Sequence, residues 1–298
     1  MTSVVEFLTN YSYRTMVIGT AIIGACAAAL GCFLYLRKQS LMSDVIGHSS
    51  VAGVMGAFAL TTALTPFDGR SMLVLTIGAV VAGLAAVLLA DHITRVSPIS
   101  PDTAMAICLA LFYGIGLVGL HLIVKSSLKN RGGIANYMFG NAASITSSDI
   151  RIAGGFAVLI AIVVTLLWKE LTLFVFDPVA AEVAGFSSRI LTPVLLCCST
   201  VAIVIGIKAV GMILMVAFAI MPAAAARQWT KRLSSMVLLA TLLGAASAVT
   251  GSYLAVCMGK VPTGAVIVLV LFAVFLVSLF QAIWRSKLQL RRSGAVAS

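Results

Sequence analysis

The chain has 298 residues, 61% of them hydrophobic and 10% charged, with a net charge of +11 and a mean hydropathy of +1.13. Apolar runs near the spanning length of about 20 residues recur along most of it, and no stretch between them is long enough to bury its own core, which excludes a soluble domain. The runs are continuous and not alternating, which excludes a transmembrane β-barrel. The chain therefore reads as an all-α polytopic membrane protein with one transmembrane domain over 1–298.

Nine helices are predicted, over 15–36, 41–64, 71–93, 102–123, 151–174, 189–207, 210–226, 233–257 and 263–284. The sixth and seventh are short and divided only near Lys208–Gly211, so one bent hairpin there would make the count eight. Glu6 precedes the first run while Arg37 and Lys38 follow it. That order is the reverse of a secretory signal, so cleavage of the first helix is not expected.

The second helix carries SLMSDVIGHSSVAGVMGAF, residues 40–58, with Asp44 and His48 four residues apart. This spacing puts both side chains on one helix face, about 6 Å apart along the axis. Ionisable residues inside a span are costly and usually face a partner, a cavity or a transport path. A carboxylate and an imidazole so placed can hold a divalent metal. They can also hydrogen-bond each other, or Asp44 can cap the helix start near Ser40 and Ser43.

Further along, 124–150 reads as a structured, partly re-entrant outer loop. Its core is NYMFGNAASITSSD, with Ser147 or Ser148 expected to cap the next helix. On the inner side, FDPVAAEVAGFSSR carries its own start and stop signals. Asp177 suits an N-cap, Pro178 the first helical position, and Gly185 the position just past the end. Val179 and Val183 share one face, with Phe186 close by. A short cytoplasmic helix is therefore expected over 177–188, either resting on lipid or docking a cytoplasmic partner. Pro222 should kink or end the seventh helix. Gly244, Ala248 and Ser252 form a face for close helix contact, and Gly53 and Gly56 flank another.

Of 20 Lys and Arg, twelve fall at predicted cytoplasmic ends when the C-terminus is placed inside, and eight on the outer side. Positive charge at span ends accounts for the net charge without nucleic acid. Cys26, Cys32, Cys108, Cys197, Cys198 and Cys257 form no CxxC pair and read as packing residues, not a disulfide or zinc framework. The chain has no GxxxxGK[ST] loop, HExxH or GxSxG, so it is not expected to hydrolyse ATP or to be an enzyme. Buried carboxylates are too few for an obvious proton relay. His92, beside Asp91 and Arg95, reads as a solvated helix-end residue, and His121 as an interfacial one.

Five stretches, in order, resemble the permease subunits of ABC importers for manganese, zinc and iron: SLMSDVIGHSSVAGV, SPDTAMAI, NYMFGNAASITSSDI, FDPVAAEVAGFSSR and KAVGMILMVAFAIMPAAAAR. Together they span about residues 35–285. Two departures stand out: Ser49-Ser50 follows His48 where Ala is common, and Val179 replaces a frequent acidic residue. The resemblance implies a type II importer permease fold like that of the vitamin B12 importer, with 8–9 spans, in a bacterial inner membrane. It implies Asp44 and His48 as metal ligands in the path, and Asp177, Pro178, Glu182 and Gly185 in the segment that contacts the ATPase. It implies cytoplasmic ABC ATPase subunits, an extracytoplasmic metal-binding protein, and a second copy or a sister permease. The transported ion would be manganese or iron foremost, zinc otherwise, with no permanently bound cofactor. The competing reading is a secondary metal carrier or channel without an ATPase.

Overall fold

Helix boundaries follow local signals wherever the sequence supplies them. The computed structural model describes residues 10–64, 72–126, 145–259 and 261–294. The first helix, α1 (Tyr11–Leu36), starts earlier than its apolar run because the Asn10 side chain accepts the Ser12 N–H. Next come α2 (Leu41–Leu64), α3 (Met72–Val96) and α4 (Pro101–Lys125), the last opened by a Ser100 cap with Pro101 in the first turn. The predicted loop over 124–150 lies, apart from its ends, outside the described residues.

Two sequence expectations need correction here. The cap of α5 (Ser147–Leu166) is Thr146, not Ser147 or Ser148. Thr146 sits three residues before Asp149 and forms a reciprocal capping box with it, its backbone N–H reaching Asp149 Oδ2 at 2.9 Å. The predicted helix 151–174 is also two helices. The chain leaves helical geometry at Leu167 (φ −96°, ψ 21°) and resumes as α6 (Trp168–Phe176).

After α6 come α7 (Pro178–Val183), α8 (Ser188–Val210), α9 (Met212–Trp229), α10 (Leu233–Met258) and α11 (Thr263–Gly294). Gly211, at φ +91°, separates α8 from α9. The chain folds back there, so that a Cβ on Gly206 would strike the Met215 side chain. Pro222 does not end α9, which runs on to Trp229. The buried alanines after it, Ala223 and Ala226, pack with Cys32 of α1 and Met236 of α10 and hold the helix in place. Among the described residues eight helices are long and apolar enough to cross a membrane.

Contacts between distant segments mark the two ends of the bundle. Tyr11 meets Ser147, and Thr263 lies 3.8 Å from Met16 Sδ, at one end. Cys32 meets the Met236 carbonyl, and Trp229 Nε1–H donates to Ser278 at 2.7 Å, towards the other. All six cysteines are free thiols.

Small residues set the helix spacing. Gly244 lies against the Gly24 backbone, Ala248 is fully buried, and Ser252 is 3.3 Å from Thr20, so this predicted face packs on α1. Gly53 packs on Gly78 of α3, whereas Gly56 faces open space. The tightest approach is Gly31 of α1, where a Cβ would overlap the Ala219 backbone of α9. Replacing a helical Gly normally gains up to about 1 kcal/mol of helix propensity. Here backbone, which cannot yield, opposes it, and overpacking of even flexible cores costs about 1–3 kcal/mol. Gly31→Leu is thus expected to lower the melting temperature of the purified permease or abolish its folding. Gly154→Ala, at a site with nothing within 4 Å, is expected to hold or raise it.

Candidate ion-binding site and coupling segment

The fourth residue of α2 is Asp44, and His48 follows one turn on. His48 Nδ1 lies 3.0 Å from Asp44 Oδ1 and 3.0 Å from the Asp44 backbone carbonyl oxygen. Both neighbours are acceptors, so Nδ1 carries the proton. In the neutral ring Nε2 then holds the lone pair, the arrangement a metal-binding imidazole needs. The ring stands edge-on to Tyr113 of α4, with centroids 4.9 Å apart. Asp44 lies inside the helix and its carboxylate turns to His48, while the turn before it is tied by Ser43 Oγ–H donating to the Ser40 carbonyl at 2.8 Å. Of the readings left open by the sequence, the mutual hydrogen bond is realised, and it leaves the second carboxylate oxygen and Nε2 as donors for an ion.

The pair is half-buried, with side-chain exposures of 34% for Asp44 and 20% for His48. It belongs to a stripe of incompletely covered positions, Leu41, Asp44, His48, Ala52, Gly56 and Leu60. At helical spacing these share one face of α2. Beside this stripe Gly53 packs against Gly78 of α3, and Gly116 of α4 lies against Val51 and Ala52. Among the described residues no group of three or more His, Cys, Asp or Glu converges. The Asp44–His48 pair thus stands as a two-residue cluster. A separate cavity of about 240 Å³ between α1, α3, α5 and α8 is lined by Ile23, Leu73, Ile77, Val80, Ile145 and Phe156 among others. Asp149 reaches it but is engaged at the Thr146 cap. Such an apolar wall gives an ion nothing in return for its hydration.

The predicted start and stop of α7 are both in place. Asp177 caps the helix by accepting the Ala180 N–H at 2.9 Å, Pro178 occupies the first position, and Gly185 has φ +89°. Gly185 N–H reaches the Glu182 carbonyl at 3.0 Å, and Phe186 N–H reaches the Ala181 carbonyl at 2.9 Å. These two bonds make a Schellman stop. Ala181 is fully buried and Phe186 packs on the cluster around Phe174 and Leu171. Val179 and Val183 instead stand 72% and 87% exposed. Glu182 accepts a short hydrogen bond from Ser188 Oγ–H, tying α7 to the start of α8.

Sequence reasoning missed three neighbours: Tyr113 and Phe174 come from distant segments, and Ser188 is a hydroxyl six residues past Glu182 that no pattern ties to it. Tyr113 faces His48, Ser188 holds Glu182, and the Arg37 guanidinium sits 4.3 Å over the Phe174 ring of α6. Burial pulls the Arg37 pKa below the usual arginine value; Asp91 opposes this and Arg95 adds to it. An arginine so placed still carries its charge. As expected from sequence, His92 and His121 are exposed at helix ends, and Asp91 pairs with Arg95 at 2.8 Å.

Among the described residues the chain is a bundle of helices, eight of them long and apolar enough to cross a membrane, with a polar pair in one and a short capped helix between two others. The profile of the ABC 3 transport family matches residues 10–282, and the chain belongs to that family. The zinc transport system membrane protein TroC of Treponema pallidum (strain Nichols) is 36% identical over 279 residues, covering 94% of this chain and 92% of TroC. The manganese transport system membrane protein MntC of Bacillus subtilis (strain 168) is 35% identical over 264 residues, covering 89% of this chain and 59% of MntC. PsaBC from Streptococcus pneumoniae, solved in complex with Fab, includes a chain of the same fold. It superposes with a TM-score of 0.82 at 30% identity, covering 97% of this chain and 100% of that one. The protein is a multi-pass bacterial membrane permease of an ABC transporter.

Proposed function

We propose that this permease conducts divalent transition metal ions inward, that Asp44 and His48 meet the ion, and that the 177–188 segment receives the stroke of a separate cytoplasmic ATPase. The observation that carries the ion assignment is the pinned His48 ring, held beside a half-buried carboxylate so that Nδ1 is engaged and Nε2 is left to meet an ion. Two permeases around one axis would bring two carboxylates and two imidazoles together. Two carboxylates offset the charge of one divalent ion inside a low-dielectric wall. The second permease is another copy of this chain or a sister chain. An extracytoplasmic metal-binding protein delivers the ion. ATP binding closes the ATPases, pushes the α7 segments, and rocks the two halves between outward and inward access. Membership in an ABC transport family supports this reading over a secondary carrier.

Manganese or ferrous iron is the proposed cargo, with zinc the close alternative. Carboxylate oxygen and imidazole nitrogen suit all three, and α2 carries no cysteine to favour zinc. Zinc binds such ligands more tightly than manganese, so selection has to come from geometry, delivery or release and not from affinity. The names of the relatives point both ways, one to zinc and one to manganese. In cells with this importer as their sole route, uptake of manganese or iron is expected to depend on it. Dependence of zinc uptake alone would overturn the cargo assignment.

A further inference from the structure

The link between α1 and α2 is short and tied by backbone hydrogen bonds. Arg37 N–H reaches the Phe33 carbonyl at 3.1 Å, Lys38 N–H the Tyr35 carbonyl at 3.0 Å, and Gln39 N–H the Leu34 carbonyl at 2.9 Å. Lys38 takes the left-handed position at φ +57°, where glycine is usual. Met42 N–H then bonds the Gln39 carbonyl at 3.0 Å, so the link runs without slack into the turn that carries Asp44. The same end of α1 grips α6 twice. Phe33 meets Trp168 edge-on with centroids 6.1 Å apart, and Arg37 lies over Phe174, which is 1% exposed. Phe174 sits three residues before the Asp177 cap of α7. Arg37 Nη1 is buried with no hydrogen bond among the described residues. A cation held this way costs stability that an apolar side chain would not.

We propose that Arg37, seated on Phe174, is a positioning residue: it carries movement of the α6–α7 segment through the stiff α1–α2 link to Asp44 and His48. This inference rests on the coupling and ion-site roles proposed above. The bond between them is a desolvated cation on an aromatic face, which gives way when either partner is lost. A rigid link with one breakable contact transmits a push only while that contact holds.

The test uses the reconstituted permease–ATPase complex and reads metal ions imported per ATP hydrolysed, together with ATPase co-purification and melting temperature. Arg37→Met and Phe174→Leu are each expected to lower the import ratio about tenfold while the ATPase still co-purifies. The double variant should be no worse than either single one, and Arg37→Lys should restore most of the ratio. A purely structural Arg37 would lower the melting temperature and leave the ratio of the assembled complex unchanged. A wild-type ratio in Arg37→Met overturns the link. Val183→Asp, assayed beside it, then separates the two ideas: loss of the ATPase keeps the coupling role of α7, and wild-type behaviour removes both.

Discussion

Asp44→Ala and His48→Ala are each expected to abolish metal uptake, a loss of about 100-fold or more, while the permease stays folded and bound to its ATPase. Changes to groups that only orient a metal ligand already cost about 10- to 100-fold, and these two are proposed as ligands themselves. Neither side chain holds the bundle together. Asp44→Ala removes an ionisable group from a spanning helix, where such groups are costly, so insertion does not suffer. The His48 ring keeps its own bond to the residue-44 backbone carbonyl, now 3.0 Å long, and so stays oriented. Asp44→Asn separates charge from hydrogen bonding, because it keeps an acceptor for Nδ1–H and loses the negative charge. It too is expected to fail. Uptake assays on membranes with matched permease levels check this, and wild-type uptake in both alanine variants would remove the ligand assignment. Failure to assemble would instead return the pair to a structural role.

The second large effect is expected at α7. Gly185→Val places a β-branched residue at φ +89°, a backbone region that costs an ordinary residue about 1–2 kcal/mol. It also loosens the two bonds that stop the helix and anchor Phe186. Glu182→Arg removes the acceptor of Ser188 and frees α7 from α8. Val183→Asp leaves the helix intact and puts a charge in the middle of its most exposed apolar face. All three are expected to detach the ATPase or to let it hydrolyse ATP without import. Co-purification and the import ratio measure this. If all three behave as wild type, the segment is a loop helix resting on lipid.

Local chemistry made α7 legible: Asp177, Pro178 and Gly185 each act through their own backbone, so the sequence alone placed the start, the first turn and the stop. The face shared by Asp44 and His48 was equally legible, because helical spacing decides it. The break at Leu167 was not. No Gly or Pro marks it, and α6 is held apart from α5 by contacts with α1, through Trp168 on Phe33 and Phe174 under Arg37. The start of α1 was read late because Tyr11–Arg14 is not apolar, although Asn10 signals it. At α5 three hydroxyl residues in a row competed for the cap, and the reciprocal bond to Asp149 selects Thr146. Pro222 does not end α9, since packing of the alanines around it outweighs one lost backbone bond.

The most direct measurement is ion accumulation in sealed proteoliposomes containing the permease, its ATPase and the metal-binding protein. Accumulation of the divalent ion is predicted only with ATP and the ATPase present, and not with Asp44→Asn permease. Equal uptake by the permease alone, without ATPase or ATP, would contradict the account and make the protein a carrier or channel.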